Sequence, residues 1–190
     1  MEPLVSVKAD KRETGACAPA FGDIYEEHFD FVWRSARRLG LTEELLDDAV
    51  QDVFLVVHRR LADFEGRSSI KTWLFGIVLR TVRGYRRSER RKPRGSIPVP
   101  ENTIDPRATG PLESAARSEA VGLLYRFLDG LDDEKREVFV QAELEQMTVQ
   151  EIAETTGVNV NTVYSRLRAA RKSFNQAVAR MRAQDGWRYR

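Results

Sequence analysis

Residues 147–174 have the sequence MTVQEIAETTGVNVNTVYSRLRAARKSF, which predicts two short helices joined by a tight turn. Thr148 and Glu151 have the spacing of a capping box at the start of the first helix. Gly157 supplies the left-handed backbone that ends a helix, and Asn159 is placed to cap the second helix. The second helix has an apolar stripe at three- and four-residue spacing, formed by Val160, Val163, Leu167, Ala170 and Phe174.

The other side of the second helix is polar and basic. Its side chains are those of Asn161, Thr162, Ser165, Arg166, Arg168 and Lys172. This arrangement is typical of a helix-turn-helix, whose second helix lies in the major groove of DNA. There an asparagine can bridge adenine and an arginine can bridge guanine, whereas Lys172 is expected to anchor a phosphate. The motif predicts DNA binding, and it fits a repressor, an activator or a recombinase equally well.

Composition restricts the classes of protein to which the chain can belong. The chain has 190 residues, enough for one ordinary domain or two small ones, and its hydrophobic fraction of 42% suits a folded protein. No apolar run approaches the roughly twenty residues that span a bilayer, and the first residues lack the apolar segment of a signal peptide. These features predict a cytoplasmic protein without membrane insertion.

Catalytic and metal-binding patterns are missing from the sequence. There is no phosphate-binding glycine loop, no metal-spaced cluster of His, Cys and Asp, and no nucleophile with a matching base. His28 and His58 are isolated, and the lone Cys17 excludes an internal disulfide. We therefore expect no catalytic residues, no metal, no cofactor and no enzymatic activity. A recombinase or nuclease stays open as an alternative that metal-dependent cleavage of DNA would support.

Acidic and basic residues are segregated, although the net charge is only +2. From residue 80 to residue 94 the only acid is Glu89, and the basic residues are Arg80, Arg83, Arg86, Arg87, Arg90, Arg91, Lys92 and Arg94. An acidic cluster precedes them, formed by Glu43, Glu44, Asp47, Asp48 and Asp52. The segregation predicts one surface for an anionic ligand and another for a protein partner.

The hydrophobic pattern is helical along nearly the whole chain and predicts an all-α protein. Helices are expected over about residues 21–39, over 43–61 with Thr42 as the cap, over 70–91, and over 133–144 with Asp132 as the cap. Residues 93–114 contain five of the seven prolines, which predicts a linker rich in proline and glycine between two small helical domains. The predicted organisation is a disordered arm at 1–19, a domain at 20–92, the linker at 93–114, a second domain at 115–182 and a tail at 183–190.

The helix expected over 70–91 has two separate faces when plotted at about 100° per residue. The apolar face is formed by Ile70, Leu74, Ile77, Val78, Thr81 and Tyr85. The second face holds the arginines, and Trp73 lies at the border between the two. Such a helix is expected to pack on its own domain and to lie against phosphates.

Three segments, in their order and spacing, resemble the extracytoplasmic-function group of bacterial RNA polymerase sigma factors. They are DDAVQDVFLVVHRRL at 47–61, FEGRSSIKTWLFGIVLRTVRGYRR at 64–87, and LDDEKREVFVQAELEQMTVQEIAETTGVNVNTVYSRLRAARKSF at 131–174. The resemblance covers about residues 21–182. It implies a sigma region 2 helical bundle followed by a sigma region 4 helix-turn-helix. The implied function is to direct core polymerase to specific promoters and to melt the −10 element.

For the polymerase, the resemblance implies that the first domain docks on the clamp helices of the β′ subunit and that the second contacts the β flap. The positions that match the clamp-helix contact are Asp48, Gln51, Asp52 and Phe54. Phe54 fits a place in the hydrophobic core equally well. The resemblance also implies control by an anti-sigma factor.

For the −10 element, the resemblance points to the loop at 64–69 and the helix that follows it. Unstacked bases need pockets and aromatic or cationic platforms, for which the candidates are Phe64, Arg67, Ser68, Lys71 and Trp73. Arg80, Arg83 and Arg87 would hold phosphates, and Trp73 also fits a packing role. The family commonly has Asn at the position of Arg80 and Asp at that of Gly84, so its −10 sequence preferences do not carry over directly.

The recognition helix would contact the −35 element through Asn161, Thr162, Ser165, Arg166, Arg168 and Lys172. A dimeric helix-turn-helix regulator that does not associate with core polymerase is the main alternative. Its N-terminal half would have to be a sensing domain, and the basic helix over 70–91 is better suited to DNA than to sensing.

Overall fold

The computed structural model describes the backbone of residues 20–91 and 111–188 and the side chains of residues 20–91 and 120–183. The regular structure in these ranges is helical, as the sequence predicts. The helices are α1 (Phe21–Arg38), α2 (Glu43–Arg60), α3 (Ile70–Arg91), α4 (Pro111–Asp129), α5 (Asp133–Phe139), α6 (Val149–Thr156) and α7 (Val160–Arg188). A 3₁₀ turn at Leu61–Asp63 follows α2, and a π-helical turn at Val140–Leu144 follows α5. The arm predicted at 1–19 and residues 93–110 of the predicted linker lie outside the described residues.

Several helix starts follow from single side chains. The Ser69 hydroxyl accepts the backbone N–H of Thr72 at 3.0 Å, and the Asp132 carboxylate accepts that of Lys135 at 2.9 Å. Thr42 was expected to cap α2 with its side chain, and this expectation was wrong. Within the described range Thr42 occupies the N-cap position of α2, but its side chain makes no capping hydrogen bond. The first turn of α2 instead carries acids, which stabilise a helix N-terminus electrostatically.

Three elements differ from the sequence expectation in their bounds. Helix α4 begins at Pro111, inside the segment predicted as linker, because a proline at the first helical position loses no intrahelical hydrogen bond. Helix α7 continues to Arg188 and so includes most of the tail predicted from residue 183. The helix expected over 133–144 changes to π geometry at Val140, where the N–H of Glu145 bonds the Val140 carbonyl.

One hydrophobic core joins the two halves of the chain. Its buried side chains come from α1, α2 and α3 and also from the second half, which contributes Leu128, Leu131, Phe139, Val140 and Ala170. A smaller cluster holds the helix-turn-helix together and consists of Val138, Ile152, Val163 and Leu167. The halves therefore pack against each other as a single body, which the sequence did not predict.

Helix α3 is buried on more sides than the sequence analysis assigned. In addition to Leu74, Ile77 and Val78, the structure buries Phe75, Leu79 and Val82. Gly76 is buried as well, and a side-chain carbon built there would lie 3.8 Å from the Thr155 methyl group of α6. A methyl group would fit there in ordinary contact with α6, whereas a longer side chain would press against it.

The turn after α1 is shaped by Gly40, whose φ is +94°. Any side chain there would fall on the guanidinium of Arg136, a buried residue of α5. The Arg136 side chain donates to the carbonyls of Leu128 at 2.7 Å and Leu131 at 3.2 Å, and also to that of Leu39 at 3.4 Å. A residue of the second half therefore helps to satisfy the C-terminal carbonyls of α1. Among the described residues, no helix has the length and hydropathy to cross a membrane.

Candidate nucleic-acid interfaces

Helices α6 and α7 form the helix-turn-helix that the sequence predicts. The Thr148 hydroxyl accepts the N–H of Glu151 at 3.3 Å, and the Glu151 carboxylate accepts the N–H of Thr148 at 2.9 Å, so both halves of the capping box are present. Gly157 has a φ of +76°. The Asn159 side chain accepts the N–H of Thr162 at 2.8 Å and begins α7. These local signals are confirmed.

The outer face of α7 presents most of the residues predicted to contact DNA. Asn161, Ser165, Arg168 and Lys172 are exposed, and Thr162 is half-buried, with its hydroxyl bonded to the Asn159 cap. The Ser165 hydroxyl donates to the Thr162 carbonyl at 2.9 Å. The first turns of α7 therefore offer amide, hydroxyl and guanidinium groups on one side, as a recognition helix requires.

Two assignments on α7 need correction, and one residue was missed. Arg166 is turned toward α5, where its guanidinium lies 2.6 Å from the Glu134 carboxylate, so it does not share the open face. Val160 was expected inside but is 37% exposed, because it stands at the first turn before the helix reaches its neighbours. Tyr164 is 57% exposed beside Arg168 in a groove along α7. Its position between Asn161 and Arg168 at helical spacing was the available signal.

Helix α2 presents an acidic face with an apolar edge. Asp48, Gln51 and Asp52 are all exposed, and the Tyr85 hydroxyl of α3 donates to Asp52 at 2.7 Å. Burial and this hydrogen bond raise the pKa of Tyr85 to about 12. Tyr85 therefore stays a hydrogen-bond donor across the physiological range and holds Asp52 in place.

Phe54 lies in the core, whereas Leu55 lies on the outer side of α2 with Asp48, Gln51 and Asp52. Phe54 is only 4% exposed, and its ring centroid lies 4.6 Å from that of Tyr25 and 6.2 Å from that of Phe29. Phe54 thus takes the core position that the sequence left as an alternative and is not part of the exposed face of α2. Leu55 is 46% exposed and follows Asp48 and Asp52 at helical spacing. It is the apolar residue of this face.

The loop before α3 carries the candidates for unstacked bases. Arg67 is exposed and paired with Glu65, and Lys71 is exposed at the first turn of α3. The rings of Phe64 and Trp73 pack on each other with centroids 5.1 Å apart, and both are half-buried. Trp73 thus has a packing partner and an accessible edge, while Ser68 is half-buried in the loop.

The predicted phosphate-binding arginines of α3 fall into two groups. Arg80 and Arg87 are exposed. The Arg83 guanidinium is held by α5, since its Nε donates to Glu137 Oε1 at 2.8 Å and its Nη2 to Glu137 Oε2 at 2.5 Å. This bidentate bond raises the pKa of Arg83 above its ordinary value. In this structure Arg83 is bound to a carboxylate and not open to a phosphate.

Other groups of the second half approach the same end of α3. Asp133 of α5 pairs with both Arg86 and Arg90. Arg86 also donates to the Leu39 carbonyl at 2.9 Å. A cleft of about 520 Å³ lies between the two helices and is bordered by these charged groups together with Arg87 and Arg166. The basic face of α3 is therefore lined, on one side, by the acidic face of α5.

The start of α3 is joined to α6 through a buried hydroxyl. Thr72 donates to the Glu151 carboxylate at 2.7 Å, so Glu151 serves the capping box and the contact between the halves at once. Hydrogen bonds from the Thr148 backbone and from Thr72 lower the pKa of Glu151. Further along, Arg38 of α1 bonds Glu145 at 2.7 Å.

Comparison with known proteins divides the chain into the same two halves. The family model described as Sigma-70 region 2 matches residues 24–92, and that described as Sigma-70, region 4, matches residues 122–174. The RNA polymerase sigma factor CnrH of Cupriavidus metallidurans is 30% identical over 164 residues, which cover 82% of this chain and 85% of CnrH. The sigma factor NccH of Alcaligenes xylosoxydans xylosoxydans is 27% identical over 172 residues, covering 90% of this chain and 92% of NccH.

Two solved structures show related folds. CnrH in complex with the cytosolic domain of CnrY is 28% identical, with a TM-score of 0.59 over 86% of this chain and 88% of that chain. The sigma factor RpoE in complex with the anti-sigma factor NepR from Bartonella quintana has a TM-score of 0.66 over 84% of this chain and 96% of that chain. At 18% identity the second similarity concerns the fold alone.

Proposed function

Since the chain belongs to the sigma-70 family of bacterial RNA polymerase sigma factors, in the extracytoplasmic-function group, we propose that α2, α3 and α7 are its polymerase, −10 and −35 surfaces. The family function is promoter-specific initiation of transcription by RNA polymerase. The observation that supports this division is that the two family models match separate segments: the first carries the exposed polar faces of α2 and α3, and the second carries that of α7.

We assign the clamp helices of the polymerase β′ subunit to the face of α2 formed by Asp48, Gln51, Asp52 and Leu55. Exposed carboxylates beside an apolar side chain give an interface both direction and contact area. The hydrogen bond from Tyr85 keeps Asp52 oriented before docking. Leu55, and not the buried Phe54, is the apolar residue of this face in the proposal.

For the −10 element, the exposed Arg80 and Arg87 hold phosphates, and Arg83 joins them when Glu137 moves away. The paired rings of Phe64 and Trp73 provide a platform for unstacked bases, and Arg67, Ser68 and Lys71 of the same segment add polar and cationic groups. Sequence preference at this element belongs to the loop, because guanidinium groups on phosphates carry no base information.

For the −35 element, the bases are contacted from the exposed side of α7. Asn161 and Arg168 are the candidates for bidentate base contacts, Tyr164 adds an aromatic surface between them, and Lys172 anchors a phosphate. Thr162 and Ser165 contribute hydroxyls, and the second half also contacts the β flap. Arg166 stays with Glu134 and positions α5.

The partners of the relatives suggest how the protein is controlled. CnrH is bound by the cytosolic domain of CnrY, and RpoE of Bartonella quintana by the anti-sigma factor NepR. We propose that an anti-sigma factor likewise binds this chain and that it acts in the cytoplasm, where core polymerase is. The chain itself supplies no catalysis in this scheme, because polymerase performs the chemistry.

The test is transcription in vitro with purified core polymerase on a library of genomic fragments, with the 5′ ends of the transcripts sequenced. The expected result is a set of starts that needs the protein and shares one −10/−35 pair. An Arg168→Ala variant should lose these starts, while the charge-matched Arg182→Ala variant, altered at an exposed residue far along α7, should keep them. DNA binding without any core-dependent start would contradict the proposal and favour the dimeric regulator.

A further inference from the structure

We propose that α5 holds the free chain in a closed state by placing carboxylates in the phosphate-binding sites of α3. The inference rests on the proposed role of α3 in DNA binding. The chain supplies its own acidic ligand for α3, and this ligand must leave before the α3 arginines can bind DNA. The ligand is the face of α5 formed by Asp133 and Glu137, called the acidic face below.

The first observation is the geometry of the arginine contacts. Glu137 receives two hydrogen bonds from Arg83, and Asp133 uses one oxygen for Arg86 and the other for Arg90. Three arginines of one helix, Arg83, Arg86 and Arg90, thus bind two carboxylates of another. A guanidinium recognises carboxylate and phosphate through the same fork of donors, so one anion excludes the other.

The second observation is burial at the centre of this contact. Glu137 is only 7% exposed, and the Arg83 side chain is 37% exposed. A carboxylate removed from water needs its partner, so the Arg83–Glu137 pair is maintained while the halves stay together. Arg83 additionally points two N–H groups at the Thr156 carbonyl, at 3.4 Å each, at the end of α6.

The third observation is that the closed contact is not only ionic. Gly76 leaves room for Thr155, Thr72 bonds Glu151, and Leu128 and Phe139 complete the core shared with α1, α2 and α3. Apart from the Glu151 carboxylate, which Thr72 bonds, these contacts are apolar and involve no ion pair that DNA could displace. Opening therefore requires the halves to separate, and binding of each half to its own site on the polymerase supplies a force for separation.

The closed state masks only part of the DNA surface. Arg80, Arg87 and the outer face of α7 remain exposed, whereas Arg83 and Arg86 are bound. Free protein should consequently bind single-stranded DNA weakly through α3, and the same chain should bind it better once the acidic face is neutral.

The first experiment measures binding of a short labelled single-stranded DNA to the free full-length chain by fluorescence anisotropy. Single strands direct binding to α3 and the loop before it, because the helix-turn-helix recognises the groove of a duplex, and the loop is the same in every variant compared. The Asp133→Asn, Glu137→Gln double variant is compared with Asp47→Asn, Glu154→Gln, which makes the same change in net charge at exposed acids away from α3. If about a tenth of wild-type molecules are open, the first variant should bind up to about tenfold more tightly.

The second experiment opens the contact without changing charge. Gly76→Gln places a long side chain against α6, whereas Gly76→Ala fits, since its methyl group would lie 3.8 Å from Thr155. Small-angle X-ray scattering should give a larger radius of gyration for Gly76→Gln and a wild-type value for Gly76→Ala. Circular dichroism verifies that both remain helical, and the anisotropy assay should show tighter binding for Gly76→Gln alone.

The proposal is overturned if the two charge-matched double variants gain the same affinity, or if Gly76→Gln expands the protein without a gain in binding. The first outcome would assign the gain to net charge, and the second would show that α5 does not compete with DNA. These readouts need no polymerase. A failure of transcription with core polymerase would refute the sigma-factor surfaces proposed above while leaving the closed state itself measurable.

Discussion

Helices α3 and α7 both carry a row of basic and polar side chains, and α5 covers more of the row on α3 than of the row on α7. Arg168 and Lys172 are exposed, whereas the Arg83 and Arg86 side chains of α3 are 37% and 20% exposed. The difference comes from the neighbouring helix α5, which turns its carboxylates toward α3. On α7, the arginine that pairs with α5 is Arg166, which lies on the inner side of that helix. A basic stripe thus identifies an anion-binding face without identifying the anion that occupies it.

The largest expected effect is on the free energy of unfolding, and it distinguishes a buried residue of α2 from an exposed one. Phe54→Ala should lower the free energy of unfolding by about 3–5 kcal/mol, because it leaves a cavity among the rings of Tyr25 and Phe29. Leu55→Ala should change stability by less than about 0.5 kcal/mol, because the side chain is already half exposed. Urea unfolding measures both.

For binding to core polymerase, we expect the opposite order: among folded variants, Leu55→Ala should have a larger effect than Phe54→Ala. Leu55→Ala should weaken the complex at a temperature where it is fully folded, since the α2 face loses its apolar edge. Equal polymerase affinity for Leu55→Ala and wild type would remove Leu55 from the docking surface.

The next effect compares the open and the covered arginines. Arg168→Ala should cost about 1–3 kcal/mol of promoter binding, roughly tenfold or more, in both the free chain and the holoenzyme. Arg83→Ala should weaken promoter binding by the holoenzyme only, because in the free chain Arg83 is occupied by Glu137. Titrations of labelled promoter duplex with each form check this. Equal losses for both variants in the free chain would show that Arg83 is already open.

A smaller effect compares two glutamates of α6. Glu151→Ala should destabilise the protein by about 1–2 kcal/mol, because it removes the capping box and the bond from Thr72. Glu154→Ala, at an exposed position on the same helix, should have little effect. Chemical denaturation at neutral pH measures the difference, and similar midpoints for the two variants would contradict it.

The contribution of Glu151 should also depend on pH. Its pKa is lowered in the folded protein relative to the ordinary value of 4.5, so the stabilisation is fully present above pH 4.5 and is lost as the pH falls through the folded-state pKa. The stability gap between wild type and Glu151→Ala should therefore shrink in acid. A gap that stays constant across an acid titration would contradict this assignment.

The smallest effect concerns the orientation of Asp52. Tyr85→Phe should cost about 1 kcal/mol of stability, the worth of one hydrogen bond. Because the pKa of Tyr85 is raised from 10.0 to about 12, its stabilisation is present below pH 10 and is lost as the pH rises toward 12. Ultraviolet titration of the phenol should show one tyrosine ionising late, and its absence in Tyr85→Phe would assign it.

The parts of this fold set by short stretches of sequence were predictable. The Thr148–Glu151 capping box, the left-handed Gly157 and the Asn159 cap each depend on residues within one or two turns, and the structure has all three. The exposed face of α7 follows from them, since the start of a helix fixes which residues face outward.

The parts that depend on distant residues were not predictable in the same way. The sequence left the place of Phe54 open because its burial depends on rings of α1, and Arg83 is covered because Glu137, far along the chain, packs beside it. One signal was present, because α3 is apolar on nearly all sides from Leu74 to Val82, and such a helix is buried by more than one neighbour.

The most direct test of the closed state is a distance between the halves in the wild-type background. Spin labels at Glu44→Cys on α2 and Asn175→Cys on α7, both exposed, would be placed in a chain carrying Cys17→Ser. Pulsed electron paramagnetic resonance should give one narrow distance for the free protein and a longer one after core polymerase is added. The same distance distribution with and without core polymerase would contradict the account.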